Sequence, residues 1–124
     1  MKTSNEIKAA LNTIRSVIDI DPSGCDISDV KEKLFKLNAL MGLSAETMAS
    51  AKKMVNEKEI EVFAKMSDTM APSIASKFLA AHCKEENAVF VYADRLNSSI
   101  IHQIDSLRTI ISLFKTEMES SLRQ

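Results

Sequence analysis

A chain of 124 residues with a net charge of −1, 45% apolar and 27% charged residues has the size and balance of one globular domain, long enough to bury roughly two thirds of the surface the unfolded chain exposes. Lys and Arg run six against six with Asp and Glu over residues 1–44, five against five over 45–82 and five against six over 83–124. That evenness argues against a basic nucleic-acid arm or an acidic tail, because phosphate neutralisation supplies most nucleic-acid affinity. Two Gly and two Pro leave little turn material, and seven Met with few aromatics favour a helical core over a β-sandwich.

Thr3 and Glu6 stand at capping-box spacing, and Ile7, Ala10, Leu11, Ile14, Val17 and Ile18 follow at steps of three and four, which predicts a first helix from about Ser4 to Ile18. It should stop at Asp19-Ile20-Asp21-Pro22-Ser23-Gly24, the clearest loop signal in the chain. Ser28 is placed to cap a second helix with Val30, Leu34, Leu37 and Met41 as its stripe and Gly42 as its stop. Leu43 and Ser44 then read as staple and cap of a third helix, whose stripe is Met48, Ala51, Val55, Val62, Phe63, Met66 and Met70. Pro72 must kink or interrupt that helix, and Ile74, Phe78, Leu79 and Ala81 resume the pattern. The polar stretch His82 to Asn87 reads as a tight turn with Asn87 as cap, a continuous helix being the alternative.

The last segment carries the strongest periodicity. Ala93, Leu96, Ile100, Ile104, Leu107, Ile111, Phe114 and Met118 recur at steps of three and four, with Leu122 four further on and Ile101 and Ile110 widening the face. The expectation is an all-α fold: one domain over 1–124, a bundle of four to five helices with an N-terminal helix pair in 1–43, a long Pro-kinked helix over 44–82 and a long C-terminal amphipathic helix over 87–123.

Few residues suggest chemistry. His82 with Glu85, and His102 with Asp105, share a helix side, but the order is reversed from the Glu-x-x-His pairs of di-metal bundles. The reading is surface pairs and no metal site. Cys83 adjoins His82, yet successive helical side chains diverge by about 100°, so adjacency makes no dyad, and Cys25 has no local His. Gly24 and Gly42 cannot supply a phosphate loop. No catalytic residue, cofactor or metal is therefore expected, and the chain reads as a non-enzyme.

Arg95, Asn97, His102, Gln103, Asp105 and Arg108 thread polar groups through the best amphipathic helix. Asn97 and Arg108 flank the seam and are expected to be half-buried, with Asp105 or Asp94 beside the arginine, so that Arg95, Asn97, His102, Asp105 and Arg108 serve a partner contact or set helix register. Lys31, Lys33 and Lys36 with Lys52 and Lys53 would form a modest phosphate-contacting surface if the second and third helices lay side by side. Two distant cysteines, the absence of a leader at Met1-Lys2-Thr3-Ser4 and apolar runs of only about five residues, against the ~20 a membrane span needs, point to a cytoplasmic protein that does not cross a membrane.

The run Ala93-Asp94-Arg95-Leu96-Asn97, then His102 through Ser112, with Lys115 and Glu117, resembles small helical proteins of bacteriophage and mobile-element modules. The segment Ser44 to Met70 also looks like the helical-hairpin oligomerisation core of phage small terminase subunits, although a helix-turn-helix and a basic arm are lacking. That likeness implies an oligomeric accessory factor and transfers no site residue. The expected function is a non-enzymatic, homo-oligomeric or partner-binding helical assembly protein, with a nucleic-acid-binding accessory factor in recombination or DNA packaging as the alternative.

Overall fold

The computed structural model describes residues 2–22 and 26–123, and they form an all-α bundle. Its four helices are α1 (Ser4–Ile18), α2 (Ile27–Ala64), α3 (Pro72–His82) and α4 (Lys84–Arg123). The Thr3 hydroxyl caps α1 by accepting from the Glu6 N–H at 3.3 Å, and Ile7, Ala10, Leu11 and Ile14 form its buried face. Ser23, Gly24 and Cys25, part of the expected loop, lie outside the described residues.

α2 and α4 are antiparallel rods of 38 and 40 residues, roughly 57 and 60 Å long at 1.5 Å per residue, and they share the largest interface in the molecule. Ser44 sits opposite Asn97 and Lys52 opposite Phe90. α1 lies along both rods, with Lys2 beside Glu46 at one end and the Ile18 carbonyl accepting from Lys33 and Gln103 at the other. Ile7, Leu11, Ile14, Leu37, Ala51, Ala93, Leu96, Ile100, Ile104 and Leu107 form the shared core. α3 touches α2 and α4 lightly and has no buried residue of its own.

Several sequence expectations change here. The helix expected to end at Gly42 and the one expected to begin at Ser44 are a single helix, so neither an N-terminal pair in 1–43 nor a separate helix over 44–82 exists. Ser44, Thr47, Ala51 and Val55 continue the buried face of Leu37 at helical spacing, and packing against α4 outweighs the roughly 1 kcal/mol that a mid-helix Gly costs. The cap of α2 is Asp26, whose carboxylate accepts from the Ser28 N–H at 2.9 Å, not Ser28.

The interruption expected at Pro72 is a break, not a kink, and it begins before the proline, so that Met66 and Met70 of the expected stripe lie in the connection over residues 65–71. α2 ends at Ala64, Ala71 is extended (ψ 144°), as a residue before proline prefers, and Pro72 opens α3 where its missing N–H costs nothing. The expected turn over 82–87 shrinks to Cys83. Its N–H donates to the Leu79 carbonyl at 3.0 Å, and its carbonyl accepts from the Asn87 N–H at 2.9 Å, so Asn87 lies in the first turn of α4 and caps nothing.

Gly42 supplies a direct check, since a Cβ built there meets nothing within 4 Å. Gly42→Ala is expected to raise stability by about 0.5–1 kcal/mol in urea denaturation. A loss would mean that the chain turns at Gly42.

Candidate functional site

Polar side chains gather on the buried face of α2, where Ser44, Thr47 and Ser50 are nearly inaccessible. Their small size lets α4 approach closely, but each hydroxyl then needs a partner away from water. Ser44 Oγ donates to Asn97 Oδ1 of α4 at 2.9 Å, and Thr47 Oγ1 donates to the Leu43 carbonyl at 2.6 Å. Ser50 Oγ has no partner among the described residues. The Ser44–Asn97 bond joins residues 53 apart in sequence and marks one register of the two rods, because sliding α4 by a turn would break it.

A second polar contact closes α1. Lys33 Nζ donates to the Ile18 carbonyl at 3.0 Å, and Gln103 Nε2 donates to the same oxygen at 3.4 Å. One terminal carbonyl of α1 is thereby satisfied by a side chain from each rod. Burial of the Lys33 ammonium pushes its pKa below the usual lysine value, and the negative charges of Asp21 and Asp19 oppose that shift.

Cys83 is buried where α3 meets α4, near Glu59 and Glu86. Burial raises its thiol pKa, and Glu59 and Glu86 raise it further, so the thiol stays protonated and a poor nucleophile near neutral pH. Neighbouring His82 is exposed; its ring stacks on Phe78 with centroids 4.1 Å apart, and its Nδ1 is 2.9 Å from the Phe78 carbonyl, so it does not face the thiol as a base would. His102 lies about 27 Å along α4 from its first residue, Lys84, at 1.5 Å per residue. No group of three or more His, Cys, Asp or Glu that could hold a metal occurs among the described residues.

Of the residues expected to set register, Asn97 alone bonds across the α2–α4 interface. Arg95, His102, Asp105 and Arg108 are exposed, and none makes an ion pair among the described residues. Arg108 is thus not half-buried, nor paired with Asp105 or Asp94. The reason is rotational: α2 lies against the Ile104–Leu107 side of the seam, leaving Arg108 on its outer edge.

The five lysines do not form one surface. They lie on a single helix, so Lys36 and Lys52 are about 24 Å apart along its axis. Lys33 is buried; Lys36 pairs with Glu32 at 3.3 Å and Lys53 with Glu57 at 3.7 Å; Lys52 lies over the Phe90 ring at 5.1 Å; Lys31 is exposed. No helix among the described residues is long and apolar enough to cross a membrane.

Sequence reasoning missed the Ser44, Thr47 and Ser50 layer and the carbonyl-capping roles of Lys33 and Gln103. The available signal was spacing: Leu37, Ser44, Thr47, Ala51 and Val55 fall on one helical face once small polar residues are admitted to it.

Comparison of the chain with protein-family models, curated proteins and solved structures finds no match in any of the three.

Two measurements probe the polar contacts. Asn97→Ala leaves the Ser44 hydroxyl buried without its acceptor and is expected to cost about 1–3 kcal/mol in urea denaturation. With Ser44→Ala added, the combined loss should fall short of the sum by at least ~0.5 kcal/mol, and strict additivity would show the pair uncoupled. Because the Lys33 pKa is lowered on folding, the folded chain binds fewer protons than the unfolded chain between that lowered value and 10.5. The contribution of Lys33 to stability should therefore rise with pH through that window, its burial penalty being fully present below it. Stability of the wild type relative to Lys33→Met, followed by chemical denaturation from neutral pH to about pH 10.5, should climb, and a flat difference would refute the assignment.

Proposed function

We infer that this chain is a non-enzymatic helical assembly protein that works as a homo-oligomer, built through the apolar surface its own helices leave open. The observation that carries the reading is the far end of α4. Its buried series ends at Leu107, yet Ile110, Leu113, Met118 and Leu122 continue as exposed apolar side chains to the last turns of the helix. Contiguous apolar surface of this kind is costly in water and characteristic of interaction sites. A groove along that end is lined by Phe114, Glu117, Met118, Ser121 and Leu122, all from α4, with no other helix contributing.

The nucleic-acid alternative draws no support from the lysines, which are buried, paired or set apart. The phage or mobile-element setting stays part of the proposal through sequence likeness alone.

Light scattering coupled to size exclusion, from about 1 to 100 µM, tests the reading across the affinity range of ordinary protein association. The expected mass is a multiple of 13.7 kDa over the upper part of that range. A mass of one chain at every concentration would remove homo-oligomeric assembly.

A further inference from the structure

The antiparallel register of the rods decides how much of α4 this chain covers. With Ser44 level with Asn97 and Lys52 level with Phe90, the first residue of α2, Ile27, falls level with Phe114. Residues 115–123 of α4 therefore pass beyond α2 by about 13 Å. α1 has ended earlier, since its Ile18 carbonyl is level with Gln103.

Leading onto this open end, Ile110 and Phe114 beside the first turn of α2 and Met118 and Leu122 beyond it stand at four-residue intervals, forming one continuous ridge of the kind that packs into the groove of a facing helix. The ridge is symmetric about residue 116, with Phe114 and Met118 two residues either side and Ile110 and Leu122 six. A two-fold axis at that point sets Phe114 of one copy against Met118 of the other, and Ile110 against Leu122, each contact occurring twice. That is the self-complementarity an isologous interface requires.

The exposed area fits the same occupant. On the ridge, Ile110, Met118 and Leu122 are 37%, 66% and 84% exposed, equivalent to nearly two whole residues, and Phe114 is half-buried. That is on the order of 400 Å² of mostly apolar surface per copy and about 800 Å² for two; with the polar rim that usually makes up the rest, the total is on the order of 1,200 Å², the lower end of the range for a stable protein–protein interface.

We propose that the free end of α4 is a homodimerisation surface, on which the Ile110–Phe114–Met118–Leu122 ridges of two copies pack antiparallel about a two-fold axis at residue 116. This rests on the assembly reading above and adds its place and geometry. The two bundles then lie at opposite ends of the joint, and each overhang also reaches the start of the other copy's α2. A parallel pairing would instead set the two bundles side by side and bring the two helix C-termini, with their like partial charges, together.

The test uses the full chain and two readouts. Met118→Glu with Leu122→Glu changes residues that are mostly exposed in the single chain, so helicity by circular dichroism should be unchanged while dimer dissociation constants rise at least 100-fold. Separately, spin labels at Lys115→Cys or at Arg123→Cys, each in a Cys25→Ser background, report orientation. The antiparallel pair places the Lys115 labels close to the axis and the Arg123 labels at least ~20 Å apart along it, at 1.5 Å per residue. Short distances at both sites would overturn the antiparallel geometry. A dimer that survives the double glutamate variant would overturn this surface while leaving assembly standing; a wild-type chain that stays monomeric would overturn both.

Discussion

The antiparallel contact between α2 and α4 is the constraint on which the rest of the molecule depends. Two helices of nearly equal length bury one face against each other, and that face carries most of the core: Leu37, Ala51 and Val55 from one rod, Ala93, Leu96, Ile100, Ile104 and Leu107 from the other. α1 has only fifteen residues, at the lower margin for a helix standing alone in water. It is held by the groove the rods make and by the two side chains that cap its Ile18 carbonyl. α3 has no fully buried residue, only the half-buried Ala75, Phe78 and Leu79, and serves as the return between the rods.

A purely apolar seam between two long rods tolerates sliding, because one apolar layer resembles the next. The Ser44, Thr47 and Ser50 layer works against that by putting hydroxyl groups where water cannot reach them. Ser44 finds the Asn97 amide in one alignment, and a shift of a turn in either direction would take that acceptor away from it. The layer contributes little net stability through its hydrogen bonds, each worth about 1 kcal/mol, and more through what misalignment would cost. The same alignment determines where α4 outruns α2, so the polar layer and the open apolar ridge are two results of one register.

The ends of the rods differ in kind. At one end the chain returns through residues 65–71, the last of them extended ahead of Pro72, and through a single residue, Cys83, between α3 and α4. At the other end α4 continues past its partner with its apolar side bare.

Much of this was legible in the residues alone. The all-α class followed from scarce Gly and Pro and from apolar spacing; α1 was readable to the residue, because Thr3, Glu6 and the Ile7–Ile18 series carry its beginning, face and end within fifteen positions. The seam of α4 was equally plain, since Ala93 to Met118 keep a helical interval whatever they pack against. Tertiary structure alone decided that α2 runs through Gly42 and Ser44, residues whose local preference is to end one helix and begin another. Burial against α4 supplies a free energy that no window of neighbours contains, and it exceeds the cost of one glycine. It also decided which polar groups matter: Asn97, Lys33 and Gln103 gained partners far away in sequence, while Arg108 and Lys31 stayed in water. Periodicity says that a helix has an apolar side; how far around that side a neighbour reaches, and where along the rod the neighbour stops, depend on a second chain segment whose position only the fold provides.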